Sequence, residues 1–274
     1  MKQHQYAIIG ASGKTGVRVN QRLHQAGYIA RALSRNTDIP FDWTQPSSTW
    51  NQALEGVDAL YITFQPDLAI PGADTCIEQL VDVAKHEGIK HLILLSGRGE
   101  EGAEKAEKIV QSSGLSWNIV RASWFMQNFS ESFMLDGVLS GQLVLPKTEV
   151  PEPFIDVDDI ADVVFELMTT TAFRNQLIEV TGPTAISFQE CVDEINKTIN
   201  TSIQYIPVDI DSYLKGASEQ GMPEGMLWLL KELFTEVLDG RNVHTTNGVE
   251  RVLKRKPSSF KDYVVNTAKS GVWN

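Results

Sequence analysis

Short unbroken apolar runs alternate, over the first half of the chain, with stretches in which apolar residues recur every third or fourth position. The runs Tyr6 to Ile9, Val57 to Phe64, Lys90 to Leu95 and Trp117 to Arg121 predict strands, apolar on both faces as in a buried parallel sheet. Tyr28 to Ser34 predicts a second strand and Ile39 to Trp43 a short third one. The periodic stretches predict helices over Lys14 to Ala26, with Val17, Val19 and Leu23 among the apolar positions, and over Ser47 to Leu54, capped by Ser47 or Ser48. Two more are expected over Asp74 to His86, closing at Gly88, and over Glu101 to Ser113, closing at Gly114. This alternation predicts an α/β fold, a Rossmann-like doubly wound parallel sheet.

The pattern loosens after Arg121. "SWFMQNFSESFM" is rich in aromatics and reads as helical, and "GQLVLP" as a short strand. A strand is expected up to about Ile155, then a helix capped at the Asp158–Asp159 turn, then a late strand in "NQLIEVTGP". Beyond Pro183 the spacing is mainly helical: Phe188 to Ile199, Ile210 to Glu219, Glu224 to Leu238 and Phe260 to Lys269. The chain therefore divides into a sheet domain, 1–182, with an aromatic segment at 122–150, and a smaller helical cap, 183–274.

The candidate chemistry begins at "YAIIGASGKTG". Its Gly-Lys-Thr resembles the end of a nucleoside-triphosphate loop, but that loop needs a glycine five positions before Gly13, where Ile8 stands. The alternative fits: Gly10, Gly13 and Gly16 follow a strand and open a helix. Backbone N–H groups and the helix dipole there can face a pyrophosphate. Ser12, Lys14 and Thr15 complete the expected contact set. Past the second strand, "RALSRN" has no acid to bind a ribose 2′-OH; it has Ser34 and Arg35. A guanidinium suits a 2′-phosphate and a carboxylate would repel it, so NADP(H) is the expected cofactor, with Lys14 adding positive charge. Arg31 lies further back and is not expected to touch it. Asp42 could accept from the adenine amino group or simply cap a turn. "TFQP", with Thr63 and Gln65, ends a strand at the ligand edge of such a sheet.

Composition narrows the partners. The 274 residues are 42% hydrophobic, enough for a sizeable core, and carry a formal net charge of -11, which opposes nucleic-acid binding overall. Cys76 and Cys191 are far apart without metal spacing, and Met1 to Gln5 is polar and too short for a signal peptide. No apolar run nears membrane-spanning length. A cytoplasmic protein without metal, membrane or nucleic-acid partner is expected; its oligomeric state is left open. His86 and His91 show no ligand spacing and read as solvated.

Short-chain dehydrogenases commonly place Tyr-x-x-x-Lys on the helix after the fifth strand, so that lysine lowers the pKa of a proton-transferring tyrosine. Here that stretch, "GRGEEGAEKAEKIVQSSG", contains no tyrosine; Lys105 and Lys108 lack the phenol they would tune, and Ser96 remains at the strand end. Ordinary ketone reduction and sugar-nucleotide epimerisation both lose their acid. Two options remain: reduction of an electron-poor acceptor, since an iminium carbon takes hydride without prior protonation, or dinucleotide binding without turnover.

The pieces "IIGASGKTG", "HLILLSGRG", "SSGLSWNIVRASWFMQNF" and "PFIDVDDIAD" resemble the NmrA-like atypical short-chain dehydrogenases. "PFDWTQPSSTWNQAL", "VTGPTAISFQECVDEIN", "SYLKGASEQGMPEGM" and "RKPSSFKDYVVNTAKSGVW" resemble more closely the festuclavine/agroclavine dehydrogenases of ergot alkaloid biosynthesis and their bacterial relatives. The resemblance spans nearly the whole chain. It implies a Rossmann fold, NADPH and, as in the fungal members, hydride delivery to an iminium; it does not imply an alkaloid substrate here.

The expected activity is an imine or quinone reductase acting on a planar aromatic or heterocyclic small molecule, the alternative being an NADP(H)-binding redox sensor. Trp124, Phe125 and Phe129 are candidates for an aromatic wall and Asn128 for a polar anchor. Met222 and Met226, with Trp228, are candidates in the cap, because methionine adapts to flat ligands. Each of these could instead be core. No single catalytic residue is assigned; Ser96 and Asn128 are the supporting candidates. The pair Asp158 and Asp159 reads as helix capping rather than acid–base chemistry.

Overall fold

The computed structural model describes residues 5–45 and 48–274. Strand and helix alternate as β1 (Gln5–Ile9), α1 (Lys14–Gln25), β2 (Ile29–Leu33), α2 (Ser48–Leu54), β3 (Ala59–Ile62), α3 (Ala73–His86), β4 (His91–Gly97), α4 (Glu101–Gln111) and β5 (Ser116–Ala122). There follow α5 (Asn128–Glu131), α6 (Leu135–Ser140), β6 (Gln142–Pro146), α7 (Val157–Thr169), β7 (Gln176–Val180), α8 (Phe188–Ile199) and β8 (Gln204–Val208). The chain closes with α9 (Ile210–Glu219), α10 (Glu224–Glu232), a π-helical turn (Leu233–Val237), α11 (Gly248–Leu253) and α12 (Phe260–Ser270). Ser48 begins α2, and the other expected cap, Ser47, lies outside the described residues.

Two compact units result. The first comprises 1–122, 158–180 and 248–255; the second 123–157, 181–247 and 256–274. The division falls at strand ends, after Ala122 and Val180. It differs from a single cut at residue 182: the aromatic segment sits with the helical unit, and α11 with the sheet.

Among the described residues of the first unit, six strands form one sheet in the order β2-β1-β3-β4-β5-β7, every pair parallel. Tyr6, Ala7, Ile8 and Ile9 are all buried, which is why this strand reads as an unbroken apolar run. The connection order reverses between β1 and β3, the switch point where such sheets receive ligands at their carboxyl ends. Helix α1 buries Val19 and Leu23, while Val17 is 38% exposed. Residues two apart do not share a helix face, so with Val19 in the core Val17 lies on the surface.

The expected strand at Ile39 to Trp43 is a loop. The Phe41 N–H donates to Ser34 O at 3.0 Å, closing a turn instead of extending the sheet. Its apolar residues still enter the core: Phe41 stacks on Trp50 with centroids 4.7 Å apart.

The second unit pairs β6 with β8 in a two-stranded parallel sheet among its described residues and packs helices around an aromatic core that includes Phe129, Phe154, Phe188 and Trp273. Helices α8 and α12 begin with full capping boxes, Ser187 with Glu190 and Ser259 with Asp262. The segment after Ala122 is not a continuous helix. The Met126 N–H donates to Ile155 O and the Ile155 N–H to Trp124 O, at 2.9 and 2.8 Å, so its backbone is spent on a bridge to Ile155. Only one turn, α5, remains helical. The expected strand before Ile155 reduces to isolated bridges at Glu152 and Ile155. Asp158 and Asp159 stand inside the first turn of α7 and not at its cap, since the helix starts at Val157.

Candidate functional site

The glycine turn joins β1 to α1 at the sheet's carboxyl edge. Gly10 has φ +76, a conformation open to glycine, and a Cβ on it would come within 1.9 Å of Thr63 Oγ1. The Thr63 hydroxyl donates to Ile9 O at 2.9 Å, so this residue supports the turn from the end of β3. Gly16 lies against the same turn: a Cβ there would meet Gly10 O at 2.2 Å. Gly13 differs. Its φ of -81 is ordinary, a Cβ on it would lie 3.2 Å from Gly10 O and 3.9 Å from Gln65 Nε2, and it caps α1 with no side-chain hydrogen bond. As N-cap, Gly13 brings no side chain to the start of α1, and no acid lies in its first turn. Gly10 and Gly16 serve close packing, Gly13 keeps the helix start bare, and the cradle fits a phosphate anion.

Around it, Ser12 and Gln65 are exposed and Lys14 is half-buried. Thr15 is buried, and its hydroxyl accepts from the Tyr61 phenol at 3.0 Å, so its side chain turns away from the edge. Burial pushes the Tyr61 phenol up. Past β2, Ser34 Oγ accepts from Asn36 N–H at 3.3 Å, and the Ser34 N–H donates to Thr37 Oγ1 at 3.0 Å. Arg35 is exposed and donates no hydrogen bond among the described residues. Arg31 is occupied: it donates to Ala53 O at 2.6 Å in the C-terminal turn of α2. Asp42 caps a turn, Oδ1 accepting from the N–H and hydroxyl of Thr44 at 2.9 and 2.8 Å. Those bonds, and then Arg35, hold its carboxyl below the usual range.

Ser96, at the end of β4, is not free to serve as a proton donor. It is buried and donates to Glu107 Oε1 at 2.6 Å. Arg121, facing it across the β4–β5 ladder, donates to both oxygens of the same carboxylate, through Nε at 2.9 Å and through Nη2. The Arg121 guanidinium is pushed up, first by its hydrogen bond to Glu107. Nearby is an acid pair that sequence spacing did not reveal: the Asp67 carboxyl lies beside that of Glu100, and its Oδ1 accepts from the Ala69 N–H at 2.8 Å. Burial pushes Asp67 up, offset by the Ala69 N–H and by Glu100.

In the second unit Trp124 is buried, with its ring perpendicular to those of Phe188 and Phe234 at 5.8 and 5.2 Å. Phe129 is fully buried and belongs to the core, a correction to its expected place in a ligand wall. Phe125, Met222 and Met226 are half-buried. Asn128 is half-buried and makes no side-chain hydrogen bond among the described residues. Trp228 is exposed. His91 is buried with neither ring nitrogen bonded, a correction to its solvated reading; it faces the core from the start of β4. No group of acids, histidines and cysteines suited to a metal occurs among the described residues, and none of their helices is long and apolar enough to cross a membrane.

A bare helix start behind a left-handed glycine, at the switch point of a parallel sheet, defines the Rossmann-like class of α/β proteins. Within it, the chain belongs to the NmrA-like family, whose profile matches residues 2–264. It is 28% identical over 256 residues to the Prestalk A differentiation protein A of Dictyostelium discoideum, covering 93% of this chain and 83% of that one. It is 24% identical to the agroclavine dehydrogenase of Claviceps fusiformis, covering 97% of each. The NADPH-dependent quinone oxidoreductase of Escherichia coli, solved with NADPH, superposes with a TM-score of 0.80 at 17% identity, over 98% of this chain and 100% of that one.

Proposed function

We propose that this protein is an NADPH-dependent reductase of small planar, electron-poor acceptors, an iminium ion or a quinone. The observation that carries the reading is the bare α1 N-terminus at Gly13 with Arg35 exposed past β2. The backbone N–H groups of 14–16 would hold the pyrophosphate, and Arg35 the 2′-phosphate. Ser12, Lys14, Ser34, Asp42, Thr63, Gln65 and Ser96 surround or support that edge. When bound, NADPH supplies the hydride.

The chain's own residues supply little acid. Helix α4 reads EGAEKAEKIVQ, without tyrosine, and the Ser96 hydroxyl is held by Glu107. That restricts the acceptor to one that takes hydride without prior protonation. The relatives named dehydrogenase and quinone oxidoreductase support such chemistry. Trp124, Phe125, Asn128, Met222 and Met226 are the proposed substrate contacts. Steady-state NADPH oxidation against quinones and cyclic imines tests the reading. Tight NADPH binding with no turnover across that panel would overturn it.

The same occupied Ser96 favours a second reading, an NADP(H)-binding sensor that does no chemistry. A partner protein whose binding depends on the NADP+/NADPH ratio, together with that silent panel, would establish it.

A further inference from the structure

Buried tryptophans ordinarily find an acceptor for the indole N–H. Two do so here, Trp50 to Asp42 O at 3.2 Å and Trp273 to Phe129 O at 2.9 Å, as does the half-buried Trp43 to Thr63 O at 3.2 Å. Trp124 does not. It is 8% exposed, and its Nε1 is buried with no hydrogen-bond partner among the described residues. Loose placement is not the cause. The Trp124 backbone N–H donates to Glu152 Oε1 at 3.3 Å, and its carbonyl accepts from the Ile155 N–H at 2.8 Å. The chain spends two backbone bonds to fix a ring whose one polar atom is left unpaired, an arrangement that costs stability unless something else supplies the acceptor.

The rings enclosing Trp124 are held unequally. Phe188 opens α8 beside its capping box. Phe234 sits in the π-helical turn Leu233–Val237, where the regular hydrogen-bond ladder of α10 gives way. Such single π turns recur at functional sites, because the extra residue can be repacked without unfolding the helix.

We infer that the Trp124 indole N–H is the specificity donor of the substrate site: it bonds the carbonyl oxygen of a quinone that enters by displacing Phe234. This rests on the reductase reading and narrows it. A carbonyl oxygen offers a lone pair along the ring edge. A protonated iminium offers none, and its cationic N–H would meet another donor. The occupant that satisfies Trp124 is therefore a planar carbonyl compound.

The test uses full-length protein with 15N-labelled indoles, saturated with NADP+ so that nothing turns over. The Trp124 cross-peak is assigned by Trp124→Phe and, independently, by its cross-relaxation to the Phe188 and Phe234 rings. Adding 1,4-naphthoquinone should move that peak downfield, whereas naphthalene, of the same ring shape, should not. Trp124→Phe, which keeps an aromatic ring and removes the donor, should weaken naphthoquinone about tenfold, leave naphthalene within about twofold and leave NADP+ affinity unchanged. An unmoved peak with naphthoquinone bound, or equal losses for both ligands, would make Trp124 a plain apolar wall and end the inference, while measured quinone turnover would leave the reductase reading standing. No naphthoquinone binding at all would end the inference as well, while turnover of a cyclic imine would leave the reductase reading standing.

Discussion

Ser96 gives its hydroxyl hydrogen to Glu107, 2.6 Å away and buried, and Glu107 in turn is clasped by Arg121. The serine at the strand end therefore braces β4 against α4. Ser96→Ala should lower the rate of NADPH oxidation by less than about tenfold, where loss of a general acid would cost about 10²–10⁴. It should lower unfolding free energy by about 1–3 kcal/mol, the worth of a hydrogen bond to a charged group. Steady-state kinetics and urea melts on the same preparation separate the two effects. A loss near the upper kinetic limit in a protein that melts normally would reveal a proton relay through Ser96.

Arg35 stands exposed past the end of β2, with no side-chain hydrogen bond among the described residues. Arg35→Ala should weaken NADPH by about 1.5–3 kcal/mol and leave NADH nearly unchanged, because the two differ by the 2′-phosphate alone. Isothermal titration with both cofactors measures this. Equal losses would place Arg35 elsewhere than on the 2′-phosphate. Arg31→Ala serves as the contrast. It should destabilise α2, whose end it holds through Ala53 O, without changing cofactor preference.

The glycines of the turn should fail in different ways. A Cβ at Gly16 would sit 2.2 Å from Gly10 O, so Gly16→Ala should cost about 1–3 kcal/mol of stability as overpacking. Gly13 has an ordinary φ of -81 and more room, so Gly13→Val should melt near the wild type yet lose cofactor affinity by at least about a hundredfold. Thermal melts with and without NADPH read both. Retained stabilisation by NADPH in Gly13→Val would remove this turn from the cofactor site.

The sheet was legible because its signals are local. "YAIIG" shows a doubly buried strand and a turn in the same few letters, and helices α8 and α9 carry caps, Ser187 and Asp209, that mark their starts. What stayed hidden depends on distant partners. Ile39 to Trp43 has the apolar content of a strand, but its aromatics pack on Trp50, while Ser34 O takes the Phe41 N–H. Strand β8 contains Pro207, a residue that argues against a strand, and it forms only because β6 pairs with it. The Ser96–Glu107 bond spans eleven positions and joins a strand to a helix, a contact no periodicity announces. Asp67 and Glu100 are further apart still, and neither has a motif around it.

That last pair gives the protein a pH dependence of definite sign. Burial raises the Asp67 pKa above its unfolded value, and the Ala69 N–H and Glu100 offset it only in part. The folded state thus binds a proton that the unfolded chain releases near the ordinary Asp range of about 4. The contribution is fully present below that range and is lost as pH rises through the raised folded value, with a limiting slope of about 1.4 kcal/mol per pH unit for one proton. Asp67→Asn keeps a donor toward Glu100 with nothing to release. Urea melts from pH 4 to 9 should show the variant matching the wild type at the acid end, then gaining on it steadily toward the alkaline end. Parallel stability curves across that range would mean that Asp67 holds no proton in the folded protein.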